Sequence, residues 1–176
     1  MSLVYDTPVP GLCFRHATPD DVPVLLALIR ELAAFERLEH QVQADEAGLA
    51  QALFGPHRAA EAVIAVLGGA PVGYAVYFHT FSTFLGRAGL YLEDLYVQPH
   101  ARGKDVGRWL IRFVAKIAVE RNCGRFEWAV LDWNTRAVDF YRALGAQAMD
   151  EWTVQRVTGA ALARLGDCDF PSAPSR

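Results

Sequence analysis

The stretch that most limits what this chain can fold into is DLYVQPHARGKDVGRWLIRFV, residues 94–114. An apolar run ends at Pro99. Arg102, Lys104 and Arg108 follow, interleaved with Gly103 and Gly107. Then Val106, Leu110, Phe113, Val114, Ile117 and Ala118 recur at helical spacing. A strand, a basic glycine-bearing turn and a helix in that order make a ready anion site. The first N–H groups of the helix lack partners, its dipole favours negative charge, and glycine lets a ligand approach the backbone. A solvated helix start with scattered basic residues fits the same letters as well. The spacing matches neither the P-loop nor the dinucleotide fingerprint.

The rest of the chain supplies the elements around this turn. LCFRHA (12–17) alternates as a strand. Thr18 and Pro19 open a helix whose apolar face is Val22, Leu25, Leu26, Ile29, Leu32 and Ala33, ending near Phe35 and Glu36. A weaker helix is expected over 44–54, and two β-rich runs flank Gly68-Gly69 as a hairpin. Residues 81–89 read as a loop, 90–97 as a strand, 124–132 as another strand and 151–157 as a last one. Asn134 caps a helix that Gly145 stops. Strands and helices alternate around one hairpin, which gives a mixed α/β class. One domain is expected over 1–166, with a disordered tail at 167–176.

A net charge of −3 gives no global basic field for nucleic acid. The apolar runs are too short to span a membrane, and the N-terminal residues lack the pattern of a secretory signal. Three cysteines, Cys13, Cys123 and Cys168, without a C-x-x-C pair argue against a disulfide framework or structural zinc. The five histidines show no ligand spacing, so no metal is expected. These features point to a cytoplasmic protein whose basic turn takes a small anion.

VQPHARGKDVGRWLI resembles the acetyl-CoA signature of the GNAT N-acetyltransferase superfamily, [Q/R]-x-x-G-x-[G/A]. ELAAFERLEHQV, FSTFLGRAGLYLEDLYV and CGRFEWAVLDWNTRAVDFYRALGAQ resemble its diamine acetyltransferase branch, the spermidine/spermine enzymes and their thialysine-acetylating relative. The likeness covers residues 12–158. It implies the GNAT fold: a twisted, mostly antiparallel mixed sheet with helices on both faces. It departs at Asp105, where the signature has glycine; only Arg102 and Gly107 stand at its defining positions.

The activity implied by the resemblance is transfer of acetyl from acetyl-CoA to a primary amine, by direct attack in a ternary complex. Arg102, Gly103, Lys104, Asp105, Val106, Gly107 and Arg108 would then face the pyrophosphate, and Asn134 would also touch the coenzyme. Leu95, Tyr96 and Val97 would offer backbone groups to the pantetheine arm as an added strand does. One of their N–H groups would face the thioester oxygen.

An amine of pKa about 10.4 costs about 4–5 kcal/mol to deprotonate at pH 7. Glu93 and Asp94 are adjacent in a strand and point to opposite faces. The family pattern nominates Glu93 for the proton, and Tyr141 as the donor to the leaving thiolate. Phe35, Glu36, Glu93 and Ser82 are the expected amine contacts. Ser82 and Phe84 stand where polyamine-acetylating members carry an aspartate and a tryptophan, which favours a thialysine-like amino acid or another small diamine over spermidine. A homodimer is expected from the relatives. The alternatives are acetylation of a protein lysine or N-terminus, and a degenerate member that binds acyl-CoA without turnover.

Overall fold

The structure is a computed structural model and describes residues 3–168. It comprises two compact units, Met1–Ala129 and Val130–Arg176. The first carries a six-stranded sheet in chain order: β1 (Val4–Asp6), β2 (Leu12–His16), β3 (Glu61–Leu67), β4 (Ala70–Ser82), β5 (Arg87–Val97) and β6 (Phe126–Trp128). Every pairing is antiparallel except β5 with β6, which is parallel. Helices α1 (Val22–Glu36) and α2 (Glu46–Phe54) lie between β2 and β3, and α3 (Val106–Glu120) lies between β5 and β6.

The helices pack where their apolar stripes direct them. Leu25 and Leu28 of α1 and Leu53 of α2 close on Ile64, Tyr74 and Tyr96 of the sheet. Each fully buried aliphatic side chain contributes about 1.5–3 kcal/mol. The stripe of α3 takes the other face, where Phe113 lies 5.4 Å from Phe14 between ring centroids. Thr18 and Pro19 do not open α1 directly. They start a one-turn 3-10 helix, Pro19–Asp21, and α1 follows from Val22. Asp21 accepts two bonds from Arg15, at 2.6 and 2.7 Å, which holds its carboxyl down at about 2.

Three expectations are corrected. The segment 81–89 is no open loop: β4 runs to Ser82, β5 starts at Arg87, and only four residues turn between them. The strand expected over 124–132 is confined to β6, which reaches β5 only at Leu90–Leu92. Residues 151–157 form no strand, and Trp152 and Val154 are exposed. Alternation alone does not make a strand; its backbone needs a partner edge, and none pairs here among the described residues.

The second unit holds α4 (Thr135–Ala143) and α5 (Gly159–Gly166). The Asn134 side chain accepts from Ala137 N–H at 3.3 Å, as the expected N-cap. Of the tail expected to be disordered, residues 169–176 lie outside the described residues.

Candidate active site

The site begins with an irregularity in the β4–β5 ladder. Val76 pairs with Asp94, but the next residue, Tyr77, pairs with Leu92. Glu93 is the extra residue of this bulge and is exposed. A bulge re-aims side chains and increases local twist. Beyond it Asp94 and Tyr96 face α1, while Leu95 and Val97 face α3. A Cβ added to Gly107 would lie 3.7 Å from the Val97 side chain and 3.9 Å from that of Leu95.

On the α1 side the bulge gathers acids. Tyr74, fully buried, donates from its hydroxyl to Asp94 Oδ2 at 3.0 Å. Burial pushes the Asp94 carboxyl above the ordinary carboxylate range. The Tyr74 bond opposes that rise, and the charge of Glu93 adds to it. Glu36, on the last turn of α1, is raised by burial and then by the Asp94 charge. Among the described residues, no lysine or arginine forms a salt bridge with either acid. Two neighbouring, half-buried carboxyls raise each other's proton affinity and favour positive charge beside them.

On the α3 side β5 offers backbone. Its pairing with β6 stops at Leu92, so no strand of the described residues covers the outer edge from Glu93 to Val97. The turn then runs into α3. Gly103 has φ +77 with open space where a side chain would stand. Asp105 also adopts a left-handed conformation, φ 57 and ψ 10, at the N-cap of α3. That is the conformation glycine supplies without strain, and aspartate is among the few other residues that visit it. The departure from the signature therefore keeps the backbone path. Its cost is a carboxylate at the helix start, which pairs with Arg108 at 3.3 Å. The Asp105 side chain makes no capping bond to the first N–H groups of α3.

Arg102 lies differently from Lys104 and Arg108. Its Nε–H donates to the Val97 carbonyl at 2.8 Å, and its guanidinium covers the rings of Phe35, at 4.8 Å, and Tyr96, at 5.5 Å. Glu31 accepts from Tyr96 Oη at 3.1 Å and from Gln98 Nε2 at 2.9 Å, which joins α1 to the same turn.

Of the expected residues, the first unit thus brings together Phe35, Glu36, Glu93, Tyr96, Val97 and Arg102 around the end of β5. Lys104, Asp105, Val106, Gly107 and Arg108 form the adjoining helix start. Ser82 stands apart. It is six residues along β4 from Val76, about 20 Å at strand rise, and its Oγ accepts from Leu85 N–H at 3.3 Å. Asn134 and Tyr141 belong to the second unit, Tyr141 on α4 with its ring 5.3 Å from that of Phe140. Sequence reasoning missed Asp94 and Tyr74 as a pair. The i, i+2 relation of Asp94 and Tyr96 was the available signal, but the bulge that decides which acid turns inward is not visible in the letters. Among the described residues, no His, Cys, Asp or Glu cluster suits a metal, and no helix is long and apolar enough to cross a membrane.

A bulged strand whose outer edge is left unpaired by strands beyond Leu92, leading into a glycine-bearing helix start, can hold an extended ligand that ends in an anionic group. The model of the acetyltransferase (GNAT) family matches residues 25–146, and the chain belongs to that family. A thialysine N-epsilon-acetyltransferase of Mus musculus is 40% identical over 162 residues, covering 86% of this chain and 95% of its own length. An L-ornithine N5-acetyltransferase of Arabidopsis thaliana is 33% identical over 193 residues, with 84% of this chain and 85% of that protein covered. Among solved structures, an integron cassette protein from the mobile metagenome of V. cholerae superposes with a TM-score of 0.76 at 27% identity, over 90% of this chain and 99% of that one.

Proposed function

We propose that this enzyme transfers acetyl from acetyl-CoA to the side-chain amine of a small amino acid such as thialysine, or of a similarly short diamine. The observation that carries the reading is the Glu36–Asp94 pair: two half-buried acids beside the unpaired edge of β5, with no lysine or arginine salt-bridged to either among the described residues. An incoming ammonium supplies the missing charge. The activities for which the mouse and Arabidopsis relatives are named support a small-molecule amine over a protein acceptor.

Acetyl-CoA supplies the acetyl group as a thioester; the amine nitrogen bonds to the acetyl carbon as the C–S bond breaks. The chain's own residues divide the remaining work. The α3 start, with Gly103, Lys104, Gly107 and Arg108, offers backbone N–H groups and positive charge to the pyrophosphate. The edge of Leu95 to Val97, unpaired by any described strand, offers hydrogen bonds to the pantetheine amides. Asp94 and Glu36 draw in the ammonium, and Glu93, exposed at the bulge, accepts its proton directly or through water. For the departing thiolate and a further coenzyme contact, the family resemblance nominates Tyr141 and Asn134 of the second unit. No step is assigned to Ser82. Exposed Trp152, Val154 and Leu165 in the second unit support a homodimer, and the three free cysteines suit a reducing compartment.

Thiol release from acetyl-CoA with thialysine, lysine, ornithine, spermidine and a lysine-bearing peptide tests the reading. The highest kcat/KM is expected for one of the three amino acids. Faster turnover of the peptide or of spermidine overturns the substrate class.

A further inference from the structure

We propose that Arg102 is a positioning residue that ties the amine end of the site to the coenzyme turn. The inference rests on reading Glu36 and Asp94 as the amine end. Arg102 occupies the signature's first position, yet its guanidinium is turned back against the protein. The Nε–H bond to the Val97 carbonyl fixes it to the last residue of β5. The same planar group covers Phe35, which directly precedes Glu36 on α1. It also faces the ring of Tyr96, the neighbour of Asp94 two residues along β5.

One side chain therefore touches the strand edge that leads to the coenzyme and both elements that carry the amine-end acids. Glu31 reinforces the joint from α1 by accepting from Tyr96 and Gln98. A lysine at 102 keeps the positive charge but loses the planar face and the directed Nε–H. The position of Phe35, and of Glu36 beside it, then loosens, while the electrostatic attraction for phosphate persists.

The test is a double-mutant cycle in the full chain with thialysine and acetyl-CoA. Arg102→Lys and Phe35→Leu should each raise the thialysine KM by about 3- to 30-fold, the range of a cation–aromatic contact. Arg102→Lys should leave the acetyl-CoA Kd within about threefold, since the charge remains. The double variant should be no worse than the poorer single, because both remove one contact. Phe35→Tyr, which keeps the ring, should restore the KM. If Arg102→Lys fails to fold, Phe35→Leu against Phe35→Tyr carries the same comparison. Multiplying effects in the double variant, or a change confined to the acetyl-CoA Kd, overturn the proposal while the amine end stands. An unchanged thialysine KM in Asp94→Asn removes the amine end itself, and this inference with it.

Discussion

Replacing Asp105 with glycine should tighten acetyl-CoA binding about fivefold. The carboxylate stands at the N-cap of α3, where on the proposed reading the first helix N–H groups would face the pyrophosphate. Unit charges roughly 6 Å apart interact by about 0.7 kcal/mol at the dielectric of water and about 3 kcal/mol at an effective value near 20. The Asp105 side chain is 64% exposed, so the lower figure applies. Its exposed pair with Arg108 adds only a few tenths of a kcal/mol, but breaking it frees that guanidinium for the phosphate. Together these give about 1 kcal/mol, or about fivefold.

Stability should hardly move. Glycine relieves the left-handed strain at φ 57, about 1–2 kcal/mol for an ordinary residue and less for aspartate. It also loses about 0.5–1 kcal/mol through the greater freedom of the unfolded chain. Titration calorimetry of wild type, Asp105→Gly and Asp105→Asn at low and high salt separates the causes. Asparagine tolerates the same backbone and keeps Cβ without the charge. If charge is the cause, both variants bind more tightly and the gain shrinks in high salt. Equal affinities for all three forms refute the electrostatic argument, and weaker binding by both variants makes the carboxylate part of the site.

The raised Asp94 carboxyl binds its proton more tightly folded than unfolded. Its stabilising contribution is therefore present below the unfolded value of about 3.9 and lost as pH rises through the folded one. Asp94→Asn, which still accepts from Tyr74, should melt higher than wild type at pH 7, with the difference shrinking towards pH 4, while its kcat/KM falls; a pH series of melting curves checks this. Gly73→Ala places a Cβ 2.4 Å from the Tyr96 carbonyl, a backbone atom that cannot swing away. Overpacking of about 2 kcal/mol should lower Tm by about 4–8 °C, and an unchanged melting curve would show that β4 and β5 part freely there. Tyr141→Phe should cut kcat by about 100-fold or more with little change in acetyl-CoA Kd, and an unchanged rate removes the phenol from the reaction.

What the sequence determined by itself was local. The apolar spacing of α1 and α3, the Gly68-Gly69 hairpin and the Asn134 cap each follow from interactions within a few residues, and so they were legible. The strand, basic turn and helix start of 94–114 were legible too, because their glycines and apolar spacing are contiguous in the chain. The tertiary structure decided what depends on partners distant in sequence. The β4–β5 register places one extra residue at Glu93 and turns Asp94, not Glu93, towards Tyr74 and Glu36. Arg102 looked like a phosphate ligand in the letters, but packing lays it across Phe35 from α1 and Tyr96 from β5. Residues 151–157 alternate like a strand and form none, since the hydrogen bonds of a strand belong to its neighbour as much as to itself. Backbone conformation at Asp105 lies between the two cases. Glycine would have announced a left-handed residue, whereas aspartate takes up the same angles without declaring them and adds a charge where the family keeps none.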